Sequence, residues 1–253
     1  MIHPDLIYFA LLVATGFLAG AMNAAAGGGS FVTLPVLVFA GLPALAANVS
    51  STVALWPGAL ASAIAYRDDF KPFGPVSLKA LGITSLIGGG IGAVLLLNTP
   101  AKAFDAVVPW LLVAATLAFI FGRQIGLALR RIVTIGPGTM IAVQFVLAIY
   151  GGYFGGAVGI VMMAAWSLLS EADLKVMGPT RTVLVAGCNS AAVAFFLFSG
   201  EVWWRETGLM VVGATLGGYV GARLTRLVSP QHLRAGVIVL SVVMTVAFFL
   251  RHH

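Results

Sequence analysis

The side chains in this chain that could do chemistry are few, and almost all are neutral. Asn23 stands just before Gly27-Gly28-Gly29. Asn48, Ser50, Ser51 and Thr52 head a later apolar run. In the second half, Thr180, Arg181 and Thr182 head a run that also holds Cys188, Asn189 and Ser190. Hydroxyls, carboxamides and a guanidinium are donors of the kind a small anion needs. Helix N-termini add unpaired N–H groups and a partial positive charge of about half an electron. Helix starts near 30, 48, 160 and 180 could therefore converge on one anion. The plainer alternative makes Asn48 and Thr180 N-caps and lets Ser51 and Thr52 bond inside their own helices. Arg181 is either a residue of the cytoplasmic edge or the fixed charge that pairs with the anion.

Other chemistries find little support. No Asp or Glu falls at the centre of an apolar run, which argues against a carboxylate proton relay. The four His stand at positions 3, 232, 252 and 253, near the ends of runs, and no HExxH occurs. Neither a catalytic residue nor a metal site is expected, and the chain does not read as an enzyme or as a holder of a cofactor. Met162-Met163 reads as packing. Cys188 is alone, so no internal disulfide forms.

The elements that must position the donors are apolar runs interrupted by glycine. A first run from about residue 6 enters Ala24-Ala25-Ala26 and then three glycines, each costing a helix about 1 kcal/mol relative to Ala. Hydrocarbon cannot satisfy the backbone groups such a break frees, so it must be covered by protein or line a watery cavity. A second break is expected within Gly151 to Ile160, GGYFGGAVGI. Interrupted segments in matching halves point to a transporter's substrate site. Isolated pairs such as Gly217-Gly218 read instead as close helix packing.

Composition sets the solvent. Of 253 residues, 60% are hydrophobic and 9% charged, against about 25% charged in a soluble domain. The chain therefore reads as an all-α, polytopic integral membrane protein. Its apolar runs are 6–26, 30–41, 44–66, 76–98, 103–122, 138–158, 160–170, 176–199, 207–228 and 231–250. Most have the roughly 20 residues that cross a bilayer. The short runs 30–41 and 160–170 each follow a break, and each closes a hairpin. With hairpins that return to their own side, eleven of the fourteen Lys and Arg fall in cytoplasmic loops. Lys102, Arg205 and Arg251 remain outside with both termini, which are then periplasmic in a bacterial inner membrane. MIHPD lacks Lys and Arg and carries Asp5, so a cleaved signal is not expected. The terminal His252-His253 is given no function. The net charge of +6 follows from these loops and does not point to nucleic acid.

This topology makes two inverted repeats, each a hairpin plus three spans: residues 1–122 and 138–253, joined by a basic linker, 123–137. IGGGIGAVL (Ile87 to Leu95) resembles LGGYVGARL (Leu216 to Leu224), in keeping with a repeat. The expected partners are a small anionic substrate, the lipid bilayer and, for assembly, a second copy in a homodimer.

The motifs resemble the TauE/SafE family of sulfite and organosulfonate exporters. The likeness in the first half lies in Gly16, Phe17, Gly20, Asn23, Gly27, Gly28, Gly29, Pro35 and Ser50-Ser51-Thr52. In the second half it lies in Gly151 to Gly155, Asn189, Phe196 to Gly200, and Gly217, Gly221 and Arg223. It departs where that family often has Lys and then Asn; Thr182 and Val185 stand there, with Arg181 one residue away. The resemblance implies a secondary transporter exporting a small sulfur-containing anion. The polar residues read above and the resemblance together give an expected site of Asn23, Gly27, Gly28, Gly29, Asn48, Ser51, Thr52, Thr180, Arg181 and Asn189. A carrier or channel for a neutral solute or another small anion, and a non-transporting assembly factor, are the alternatives.

Overall fold

A computed structural model describes residues 4–25, 27–70, 75–129, 136–155, 158–169 and 174–224, together with 239, 242, 243 and 246. The last expected span, 231–250, lies almost wholly outside them. Among the described residues the chain is helical and contains no strand: α1 (Pro4–Ala25), α2 (Ser30–Phe39), α3 (Ala44–Ala65), α4 (Leu78–Leu97), α5 (Ala101–Leu129), α6 (Pro137–Phe154), α7 (Val158–Leu169), α8 (Leu174–Phe196) and α9 (Trp204–Leu224). Among the described residues four segments, Asp5–Ala25, Ala44–Ala65, Leu78–Leu97 and Pro137–Phe154, are long and apolar enough to cross a membrane. α2 has 10 residues and α7 has 12, about 15 and 18 Å, or roughly half a bilayer. α5 runs on to Leu129, into the basic linker, because most of Arg123–Leu129 are good helix formers.

The expected breaks are present, and the chain folds back at the first. A methyl group on Gly29 would strike the carbonyl of Ala19, so the start of α2 lies against the last turns of α1. The second break is shorter than expected. Gly151 and Gly152 remain helical, and α6 ends only at Phe154. They are glycine for packing: a methyl on Gly152 would meet the backbone of Gly89 in α4.

Helix starts near 48 and 180 are corrected. α3 starts at Ala44 behind Pro43, and α8 at Leu174, so Asn48 and Thr180 are interior positions and neither is an N-cap. Pro43 presets the turn and Ala44 to Ala47 are strong helix formers, which draws the start of α3 forward.

The packing partners exchange in a regular way. α1 lies on α9 as α6 lies on α4; α3 lies on α9 as α8 lies on α4; and α3 meets α8. Exchanging α1–α4 with α6–α9 in order leaves this pattern unchanged. The two similar glycine motifs hold equivalent places. Gly88 and Gly92 approach α6, while Gly217 and Gly221 approach α1. Gly89 meets Cys188 of α8, while Gly218 meets Gly58 of α3. With lipid as apolar as leucine, such close backbone approach replaces the hydrophobic effect as the force between helices.

α3 is buried throughout from Ala44 to Leu55 and forms the centre. Ser62, further along it, has one hydroxyl proton shared between Gly58 O of its own helix (2.7 Å) and Gly218 O of α9 (2.9 Å). Ser62→Ala should therefore cost about 1 kcal/mol, read as a lower melting temperature of the purified protein in detergent.

Candidate functional site

Both breaks are built around a glycine in the left-handed region. Gly27 has φ 84° and closes α1 with its N–H on Met22 O (3.2 Å) and Asn23 O (2.9 Å). Gly155 has φ 64° and closes α6 with its N–H on Gly151 O (2.6 Å). Only glycine takes this conformation without strain, and it lets the helix stop within one residue. α2 then starts at buried Ser30 with no side-chain cap. The breaks meet one another. Ser30 Oγ donates to Gly155 O at 3.4 Å, and a methyl on Gly159 would strike Gly27 Cα.

Arg181 reaches the first break from α8. It is 1% exposed. Nη2 donates to Ala24 O (2.6 Å), Asn23 O (3.3 Å) and Thr182 Oγ1 (3.2 Å), and Nη1 donates to Ala25 O (3.3 Å). The carbonyls of Asn23, Ala24 and Ala25 are the last of α1, the negative end of its dipole. Nε is buried and has no partner. Among the described residues no carboxylate pairs with this guanidinium. Beside it is a cavity of about 10 Å³, room for about one water. Asn23 and Gly27, Ala59 and Ser62, and Arg181 and Thr182 line it.

The α3 donors gather at the second break. Asn48, 2% exposed, donates Nδ2 to Tyr153 O at 3.2 Å. Thr52 Oγ1 donates to Asn48 O at 2.9 Å, and it is the first atom a methyl on Gly155 would meet. Ser51 Oγ pairs with Thr33 Oγ1 at 2.5 Å. Ser50 Oγ accepts from the backbone N–H of Trp203, tying α3 to the loop before α9.

The expected donors thus form two neighbouring groups. Asn23, Gly27 and Arg181 share the cavity. Asn48, Ser51 and Thr52 gather at the other break and at α2. Gly28, Gly29 and Thr180 are buried. Asn189 is buried about two turns along α8 from Arg181, its Oδ1 without a partner, and it does not line the cavity. Thr52 bonds inside its helix, as the plainer alternative had it. Ser51 bonds across to α2.

Ser62, Thr33 and the carbonyl of Tyr153 were missed by sequence reasoning. So was Gln144 of α6, fully buried, whose Nε2 donates to Ser85 Oγ of α4 at 2.8 Å. A lone carboxamide inside an apolar run was the signal for it.

The comparisons with known proteins agree on one kind of molecule. The family model described as "Sulfite exporter TauE/SafE" matches residues 12–248. A probable membrane transporter protein of Haemophilus influenzae is 27% identical over 93% of this chain and 92% of its own length. One of Sinorhizobium is 28% identical over 94% and 90%. The probable membrane transporter protein YfcA of Escherichia coli is 25% identical over 100% and 93%. No solved structure matches the chain.

Proposed function

The chain belongs to the sulfite exporter TauE/SafE family and is a membrane transporter; from that premise we propose that it carries a small sulfur-containing anion, sulfite or an organosulfonate, by alternating access. Arg181 is the observation that carries this reading. It is a buried cation that lacks an acid among the described residues, keeps an unused Nε–H and lines a cavity with Asn23, Ser62 and Thr182. A charge at such depth is costly until something neutralises it. The α1 carbonyls offset part of that cost, and an arriving anion would supply the rest.

The exchange of helix partners supports two repeats, and the charge bias of the loops supports their inversion. Alternating access follows from such repeats rocking around a site between them. In this reading the membrane is the bacterial inner membrane, both termini are periplasmic, and Asn23, the glycines 27–29 and Arg181 hold the anion. With no carboxylate central to any span, uniport is sufficient, and the negative-inside potential drives the anion outward.

One observation favours a second reading, a neutral solute. Arg181 already holds three carbonyls of α1, so it could serve the fold alone. A thermal-shift screen with sulfite, sulfate, taurine, sulfoacetate and acetate separates the two. At 100 times its dissociation constant, the true ligand should stabilise the protein by about 2.7 kcal/mol. Stabilisation by sulfite or one sulfonate, with acetate silent, is the expected result. A flat response to every anion would leave the neutral solute.

A further inference from the structure

We propose that Arg181 and Asn48 are paired latches, each holding the hairpin break of the opposite repeat, and that transport releases them in alternation. Arg181 belongs to α8 and bonds the last three carbonyls of α1. Asn48 belongs to α3 and bonds Tyr153 O, one residue before the end of α6. The exchange that maps α1–α4 onto α6–α9 carries the helices of one bond onto those of the other, with the donors about one turn apart in register. Both donors are buried and lie early in their helices.

The physical role follows from what a helix end leaves unsatisfied. The last carbonyls of α1 and α6 have no partner within their own helices, and apolar surroundings offer none. Gly27 N–H and Gly155 N–H meet carbonyls one turn back, and the donor from the other repeat meets those nearest the break. When a hairpin moves away from that donor, water must take its place, so unlatching and wetting are one event. Ser30 on Gly155 O, and Gly159 against Gly27, tie the breaks together, so release at one is felt at the other. The latches are unequal. One is charged and holds three carbonyls; the other is neutral and holds one. The proposal rests on the transporter reading but not on the identity of the anion.

The test is sided thiol labelling with no substrate present. The background is Cys188→Ser, and the reporter is Ala59→Cys, which lines the cavity. A membrane-impermeant maleimide is applied to right-side-out and to inverted vesicles. Arg181→Gln should speed labelling about tenfold from one face, and Asn48→Ala about fivefold from the other. Exposure to the same face in both variants, or a change in neither, overturns the proposal. Should either variant fail to purify as a monodisperse protein, Arg181→Lys and Asn48→Ser take their places, with smaller increases on the same two faces. Crossed labelling together with a flat ligand screen would retain the latches and remove the anion.

Discussion

Arg181→Gln should abolish transport of the stabilising anion in proteoliposomes, lowering the initial rate by about a hundredfold. A hydrogen bond to a charged group contributes about 1.5–3 kcal/mol, and each 1.4 kcal/mol is a factor of ten. Gln can still donate to one or two α1 carbonyls but brings no charge. Arg181→Lys should fall between, since an ammonium restores the charge without the guanidinium's planar fork. The melting temperature must be measured beside the rate, because the same side chain ties α8 to α1. Lost transport in a protein that still unfolds cooperatively assigns the charge to the anion. Retained transport would make Arg181 structural and the solute neutral.

The second large effect lies in the packing. Gly152→Ala should lower the melting temperature by about 10 °C or leave no folded protein. A methyl there would overlap the carbonyl of Gly89, backbone against backbone, where no rotamer change can relieve it. Overpacking costs about 1–3 kcal/mol or more, and each kcal/mol moves the midpoint of a chain this size by about 2–4 °C. Gly208→Ala is the contrast. Gly208 lies inside α9 with nothing within 4 Å of the added methyl, so that variant should be neutral or more stable by about 0.5–1 kcal/mol. A similar loss in both variants would mean that the close approach of α4 and α6 is not what the glycines serve.

The two glycines also show what a sequence discloses. Runs of about 20 apolar residues are legible because lipid leaves a spanning segment little choice. Gly27-Gly28-Gly29 is legible as a break because three weak helix formers act together. In GGYFGG the same residue type serves two ends: Gly151 and Gly152 admit a neighbouring helix, and Gly155 stops one. Local propensity is the same for all three, and only the partner across the interface distinguishes them.

The site was legible by type but not by bonding. Asn48, Ser51, Thr52 and Arg181 stand out as polar residues in apolar surroundings, and all four are buried. Their partners lie far along the chain: Arg181 bonds Ala24, and Asn48 bonds Tyr153. Backbone carbonyls have no signature in a sequence, so crosswise bonding could not be read from it. The apolar run 44–66 marked α3 to within a residue; what misled was Asn48 read as a helix start, where Pro43 and the helix formers behind it begin the helix about one turn earlier.

The Arg181 guanidinium, with no carboxylate on it among the described residues, has a bioenergetic consequence. A fixed positive charge inside a low-dielectric path repels any cation that enters, by about 4 kcal/mol at 4 Å for an effective dielectric near 20. Protons, sodium and potassium therefore meet a barrier where an anion meets a well, as at the arginine of water-selective pores. If Arg181 lines the transport path, as proposed, the carrier passes an anion while the proton-motive force stays sealed. On the proposed reading, Arg181→Gln should let cations leak as well as slow the anion, read as a proton flux in proteoliposomes.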